Sequence, residues 1–382
     1  MFTSRRISVL GGDVFRDEHS LDFAGDDEYL DAGIGLGTTI GDNYAGSLSV
    51  SIWFKADAIS GGLFLVGAHA NGDFSVRLHD NKIKVGVNNA GFDWHYAFTD
   101  TANWHHLVGI LDRANETAVL YVDGVSVGAQ DGSDSFPAAT TLDMDGEPAW
   151  IGRLDSSYFN GKISDVAFYN SALTASQVAT IYNGREPYNH KEGVAKSNLL
   201  AWWRMGDGVF DDSNVDGNSL ITDEANVGLG ANLQDTAFTE QDMLGFTGES
   251  ATGFTGVNTG AGAGGNDNSS GKALSLTAGH TYKLSWTTTI NAGDLSQQLD
   301  VAVATAIGGG TGDTATAGTH TAAGDYVNYF KVASTATHYI VFRLAGTGAY
   351  NFTISNVSLQ KVDGNPGILV NMEAIDFSGE TP

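Results

Sequence analysis

The chain's apolar residues come in short alternating runs, each stopped by a turn residue before a helix could form. In Ser47–Lys55, Leu48, Val50, Ile52 and Phe54 share one face of an extended segment, because strand side chains alternate with period two. Gly62–Ala68 reads as a second strand, and Phe74–Leu78 with Lys82–Val87 reads as a hairpin turned at Asp80-Asn81. Trp104–Asp112 and Thr117–Val122 form another pair, closed by Asp123-Gly124, and Lys162–Tyr169 alternates again. Strands about 8–12 residues apart, with Gly, Asn and Asp between them, indicate an antiparallel sandwich. One helical signal interrupts the pattern: in Ser171–Tyr182, Thr174 is the expected N-cap and Val178, Ile181 and Tyr182 form a stripe.

A length of 382 residues with 42% hydrophobic content predicts two or three domains with real cores. Residues 1–14 read as an arm ending in Gly11-Gly12, and 15–190 as the first sandwich. Residues 191–244 read as linker strands with acidic loops, of which Leu199–Met205 docks on the first sandwich. Residues 245–362 read as a second sandwich, with Tyr282, Leu284 and Trp286 on one strand face and Ile340, Phe342 and Leu344 on another. In the tail, residues 363–382, Ile368, Val370 and Met372 alternate with no domain of their own to bury them. The tail is therefore expected to dock as a strand, on this chain or on a partner. The predicted fold class is all-β: two antiparallel β-sandwich (jelly-roll) domains in tandem, with an extended N-terminal arm and C-terminal tail.

Asp+Glu number 45 against 19 Lys+Arg, a net charge of −26. Such a surface repels nucleic acid and anionic membranes, and it suits divalent cations, high-salt media, cationic partners or simple solubility in a saline setting. There is no cysteine, so neither a disulfide nor a thiolate metal site is expected. No run of about 18 apolar residues is present to span a membrane. Met1–Leu10 has no apolar stretch of the signal-peptide kind, so the sequons at Asn115, Asn268, Asn351 and Asn356 carry little weight.

Several blocks resemble the laminin-G-like, concanavalin-A-like jelly rolls, in that family's order: Ser20–Leu30 (SLDFAGDDEYL), Ser51–Lys55, Asn103–Val108, Leu120–Gly124, Trp150–Arg153, Phe159–Asn170 and Ala172–Thr174. The resemblance covers about 170 residues and implies a two-sheet sandwich that binds glycans or proteins or serves as an adhesive module. The pattern from Trp203-Arg-Met-Gly-Asp to Ile221-Thr-Asp-Glu-Ala-Asn resembles the first strands of a second such unit cut short; the preferred reading is a linker strand docked on the first sandwich. Residues 245–362 resemble carbohydrate-binding-module jelly rolls, whose last strand is similar to Tyr350–Leu359. The tail (Asn371-Met-Glu-Ala-Ile-Asp to Thr381-Pro382), combined with the first domain, resembles virion structural proteins of marine bacteriophages.

The jelly-roll resemblance implies a structural Ca²⁺ joining Asp26 and Asp27 to Asp165, with hard oxygen ligands. A second implied site uses Asn71, Asp73 and Asp155. Asp212, Asn214, Asp216, Gly217 and Asp223 keep EF-hand spacing, but Met205–Phe210 is not helical and Ser219 stands where an apolar anchor belongs. Asp143-x-Asp145-x-Glu147 is the only echo of a glycosidase strand, and Gly146 and Pro148 make it a loop, so catalysis is not expected. His105 and His106 are adjacent, so they face opposite sides of a strand and cannot share an ion. Gly308–Gly312 lacks the strand-to-helix context of a phosphate loop. Glycan contacts need exposed flat rings; the candidates are Trp94, Tyr96, Tyr158, Tyr326, Tyr329 and Tyr350.

The function expected from these features is that of a phage virion structural protein, a capsid decoration, fibre or other appendage. It would be homo-oligomeric, in the form of a trimer, with itself and other virion proteins as partners and host surface glycan as ligand. It would assemble in the host cytoplasm. A free-standing, extracellular lectin-like glycan binder is the alternative, and a glycoside hydrolase the third reading.

Overall fold

The structure, a computed structural model, describes residues 17–67, 74–87, 92–129, 141–208, 211, 220–226, 228–234, 237–240, 247–259, 267–270, 273–293, 299–305, 313–344, 349–372 and 376–382. The arm 1–14, Asn71 and Asp73, the EF-like positions 212–219 and the Gly308–Gly312 run lie outside these residues.

Two antiparallel sheets make the first domain. One runs in the order Val125–Ala129, Thr117–Val122, His105–Asp112, Leu48–Ala56, Asn160–Tyr169, Ser20–Ala24, Phe377–Ser378. The other runs Leu220–Ile221, Gly367–Val370, Tyr29–Gly33, Ala149–Ile151, Gly61–Val66, Phe74–Leu78, Lys82–Val87, Phe92–Ala97. Leu48, Val50, Ile52 and Phe54 are all fully buried between the sheets, as their alternation predicts. The hairpin turns at Asp80 and Asn81, both at positive φ, the form whose twist suits adjacent strands.

The strand Asn160–Tyr169 changes neighbour halfway along. Asn160–Ile163 pair with the opening strand, and Val166–Tyr169 pair with Leu199–Trp203. Asp165 falls at the changeover, and its carboxylate accepts from Trp202 Nε1 and, at 3.0 Å, from His190 Nε2. A carboxylate only accepts, so Nε2 carries the proton and Nδ1 accepts from the Tyr169 hydroxyl. Tyr169, His190 and Asp165 are buried. This Tyr–His–Asp chain therefore has no access to a substrate and acts to join the sheet to its outer cover. That cover includes the helix Ala175–Tyr182, which starts at Thr174 in a capping box with Gln177.

The sequence places the two sandwiches in tandem; in the structure the second unit is an insertion in the chain of the first. The first compact unit is 1–227 plus 364–382, and the second is 228–363. The linker of the sequence reading is thus divided: Leu199–Trp203 and Leu220–Ile221 are strands of the first unit, and 228–240 belong to the second. The tail docks on its own chain. Gly367–Val370 sits between Leu220–Ile221 and Tyr29–Gly33, and Phe377 pairs with Leu21. Buried Asp223 fixes the return: it accepts from the backbone N–H groups of Trp202 (2.9 Å), Ala225 (3.0 Å) and Asn365 (2.9 Å). Trp203 Nε1 donates to the Asn365 carbonyl at 2.8 Å.

The second unit is a separate sandwich. A five-stranded sheet orders Thr247–Ser250, Gly253–Thr259, Ala349–Lys361, Thr281–Gly293 and Gly324–Lys331. It is matched by a sheet of Thr239–Glu240, Asp267–Ser270, Ala336–Leu344, Leu299–Ala304 and Asp313–His320, with Leu274–Leu276 also pairing to Ala336–Leu344. Tyr282, Leu284, Trp286, Ile340 and Phe342 form its core, as their alternation predicts. Its two ends meet, the Asp363 N–H donating to the Gly228 carbonyl at 3.1 Å.

Two predictions follow from this packing. A chain ending at Asp363 loses buried Leu369 and Met372. At about 1.5–3 kcal/mol each, the first domain should lose about 4 kcal/mol, while unfolding of the second stays unchanged. An unshifted first-domain transition in a denaturant titration would show that the tail is not part of that core. The second prediction concerns pH. His106 is fully buried, and desolvation, helped by nearby His190, pushes its pKa down to about 3. Below the unfolded value of 6.5 the unfolded chain binds a proton that the folded chain refuses, so stability falls from pH 6.5 towards 3, by up to ~1.4 kcal/mol per pH unit. His105 acts in another window. Its bond to Asp123 raises its pKa, so its contribution is complete below pH 6.5 and is lost as pH rises through the raised value. His106→Gln should flatten the acid-side slope measured between pH 6.5 and 4.5; an unchanged slope would assign it to carboxylates instead.

Candidate functional site

Trp150 lies between Ala149 and Ile151, both buried in the core, so alternation turns its ring to the outer face of the second sheet. Its ladder neighbours are Asp31 on one side and Leu65 on the other. Tyr29, on the adjacent strand, points the same way because Leu30 and Ala32 point in. The Tyr29 and Trp150 rings meet edge to face at 6.1 Å, and Tyr158 lies 6.3 Å from Tyr29. The Arg153 guanidinium sits among the three rings, 4.2 Å from the Trp150 centroid, 4.6 Å from Tyr29 and 5.6 Å from Tyr158. Its Nε donates to the Asp155 carbonyl at 2.7 Å, which fixes the fork. Burial pushes the Tyr29 phenol up, against the pull of Arg153, so it stays protonated and able to donate.

Two glycines hold this cluster in place. The hairpin Arg153–Leu154/Ser157–Tyr158 lies on the start of the strand Gly61–Val66. A Cβ on Gly61 would stand 2.1 Å from the Tyr158 carbonyl oxygen, and one on Gly62 would stand 2.4 Å from the Arg153 carbonyl carbon. Gly61 also has φ +91°, a conformation that L side chains rarely adopt. On the far side of the hairpin an open groove of about 250 Å³ is lined by Arg77, His79, Lys84, Asp155, Ser156 and Ser157, among others. Half-buried rings, a fixed guanidinium and exposed hydroxyls together offer apolar faces and directional donors at one surface, the combination that orients a polar ring-shaped ligand.

Of the residues singled out in the sequence, Tyr158 and Asp155 fall in this site. The calcium grouping is corrected. Ala24 pairs with Asn160, so Asp26 and Asp27 lie beyond the far end of the strand from Asp165, about 16 Å away along five extended residues. The Asp165 oxygens are also taken by N–H donors, so these three residues do not fit one cation. Asp155 has its intended companions Asn71 and Asp73 outside the described residues. Among the described residues, no group of three or more His, Asp or Glu side chains is placed to hold a metal. Asp223, the last EF-like position, is spent on backbone N–H groups. Asp143 accepts from the Asn43 N–H and Asp145 begins a turn, so these carboxylates do not share a strand face.

Trp94 is corrected from a ligand contact to a core residue: it faces Val85 and is 3% exposed. Tyr96 is exposed on the edge strand Phe92–Ala97. In the second unit Tyr329 is buried, with Lys283 over its ring at 5.8 Å, so it cannot stack on a sugar. Tyr326 is half-buried, stacked on Trp286 at 5.2 Å with its hydroxyl donating to Ala322. Tyr350 lies on the strand Ala349–Lys361, and its side chain is outside the described residues. Tyr29, Trp150, Arg153, Arg77 and Lys84 were not singled out. For Trp150 the sequence signal is a Trp flanked by two core residues on a short strand.

No curated protein matches the chain. Among solved structures, it is similar to a heptameric SAP-like pentraxin from Limulus polyphemus, at 15% identity and TM-score 0.34, over 44% of this chain and 82% of that one. A putative carbohydrate-binding protein from Bacteroides ovatus is 16% identical with TM-score 0.38, over 55% of this chain and 56% of that one. The CBM40 of a Ruminococcus gnavus sialidase, bound to α2,3-sialyllactose, is 14% identical with TM-score 0.34, over 43% of this chain and 96% of that one. Residues 30–179 match the family model of the concanavalin A-like lectin/glucanases superfamily, a span within the first domain running from the strand Tyr29–Gly33 into the helix Ala175–Tyr182.

Proposed function

We propose that the chain is a non-catalytic saccharide-binding protein whose first sandwich takes its ligand on the outer face of the second sheet. The observation that carries this reading is the Tyr29, Trp150 and Tyr158 cluster locked around Arg153. Sugar rings are recognised by aromatic faces together with a few fixed polar groups, and this is where the described surface of the domain provides both. The match of residues 30–179 to a lectin and glucanase superfamily supports the class. The non-catalytic half rests on the carboxylates: Asp143 accepts from the Asn43 N–H and Asp145 begins a turn, so strand alternation does not set an acid and a nucleophile about 5 Å apart there.

The virion-appendage reading, with its oligomer and partner subunits, draws less support. A tail meant to add a strand to a neighbour was one of its motives, and that tail completes a sheet of its own domain. It rests on the resemblance of sequence, on the cysteine-free and strongly acidic composition, and on the arm 1–14, which lies outside the described residues. Copurification of the chain with phage particles would restore it.

On a glycan array the intact chain should bind a restricted set of saccharides. Trp150→Ala should weaken that binding at least tenfold, ~1.4 kcal/mol, with the fold retained by circular dichroism. Tyr96→Ala, on the edge strand, should leave it unchanged. If the array stays blank, or if Trp150→Ala binds as well as the parent chain, this face is not the site.

A further inference from the structure

We propose that the saccharide is an oligomer of at least two sugar units bound astride the Arg153–Tyr158 hairpin, one unit on the ring cluster and the next in the groove on the hairpin's other side; this deepens the saccharide-binding reading and rests on it. The pairing of the hairpin divides its residues. Arg153 stands opposite Tyr158, and Leu154 stands opposite Ser157. Side chains directly opposite share a face, and the next pair takes the other. Arg153 and Tyr158 accordingly both reach the cluster with Tyr29 and Trp150. The groove is lined by Leu154, Asp155, Ser156 and Ser157 of the same hairpin, and by neither Arg153 nor Tyr158. The ribbon is thus a wall between two compartments, and one sugar ring cannot fill both. The wall is fixed at both ends. Asp155 turns the ribbon at φ 51°, and its carbonyl accepts from Arg153 Nε at 2.7 Å. Gly61, itself a lining residue of the groove, lies under the Tyr158 carbonyl where a Cβ would collide.

The two compartments differ in chemistry. The cluster offers flat rings. Among the groove's described lining residues the one ring is the exposed imidazole of His79, which meets Asp80 at 3.0 Å. The groove instead offers the exposed hydroxyls of Ser156 and Ser157, with Asp155, Arg77 and Lys84 around them. Arg77, Lys84 and Asp155 each take part in polar or charge interactions of their own, so they are held donors and acceptors rather than charges that call for a counter-ion. A mixture of donors and acceptors matches a sugar hydroxyl, which is both at once. Polar contacts at an open groove bind weakly alone, because each replaces a contact with water. A unit tethered to a neighbour already seated on the rings meets the groove at a high effective concentration, so the same contacts add to the affinity. The groove, at about 250 Å³, is at the small end of ligand sites and suits a single unit.

The test uses an array carrying glucose, galactose, mannose, xylose, arabinose, galacturonic acid and sialic acid, each as single sugar, dimer and trimer, followed by calorimetric titration of the intact chain with every series that binds. The dimer should bind about tenfold tighter than the single sugar, the worth of about two hydroxyl hydrogen bonds. The double variant Ser156→Ala with Ser157→Ala should remove most of that gain and leave the affinity for the single sugar unchanged, which also shows that the fold is retained. Ser157→Leu, which puts an apolar side chain in the groove, should bind the dimer no better than the single sugar. Trp150→Ala should weaken single sugar and dimer alike. Equal binding of single sugar and dimer by the parent chain overturns the inference while leaving saccharide binding standing, and so does a full dimer gain in both serine variants. If this array is blank, the inference falls together with the reading it rests on.

Discussion

The first sandwich is closed by residues that follow the second unit in the chain. Gly367–Val370 fills the place between Leu220–Ile221 and Tyr29–Gly33, and until it arrives Tyr29–Gly33 presents an open edge. The closure depends on Asp223, one carboxylate that takes backbone N–H groups from the strand at Trp202, from its own turn at Ala225 and from the returning chain at Asn365. Burial raises its pKa, and these donors pull the other way by favouring the ionised form. A buried acceptor with three such donors tolerates no neutral substitute of the same shape, because each donor left unmatched costs about 1–3 kcal/mol.

This constraint reaches the candidate site through one strand. Tyr29 is in the strand that the tail covers, opposite Val370, and it is also a wall of the ring cluster. Its position is therefore set from two sides, by Trp150 in the sheet and by the docked tail. The opposite wall is set by absence of side chains: without Gly61 and Gly62 the hairpin could not lie on the strand, and Arg153 would not reach its three rings. Rigid strands and a close backbone approach thus place groups that a free loop would hold only loosely.

Local periodicity carried most of the fold into view and little of the site. Leu48, Val50, Ile52 and Phe54, the Asp80-Asn81 turn and the Thr174 cap are written in spacings of a few residues, and each was readable as such. The insertion of the second unit in the chain of the first was not, because the partners of Ile368 and Leu369 are Asp31 and Leu30, well over three hundred positions earlier. The tail looked like an orphan strand for that reason. The Asp165, His190 and Trp202 cluster escaped likewise: its members lie 25 and 37 residues apart and meet only where a strand changes neighbour. Trp94 is misread from sequence because the alternating positions Phe92, Trp94 and Tyr96 look alike, and only the pairing of Trp94 with Val85 shows that it faces the core.

Much of the placed positive charge ties the segments of the first sandwich together. Arg204 meets Asp17 at 2.9 Å, Lys55 meets Glu380 at 2.6 Å and Lys162 meets Asp22, each cation joining the opening strand, the closing strand or the tail to its neighbour. These pairs need no explanation beyond folding, since each cation lies against an acid in a chain that has acids to spare. Arg77 and Lys84 stand opposite each other on adjacent strands and, with Asp155, line the groove beside the hairpin.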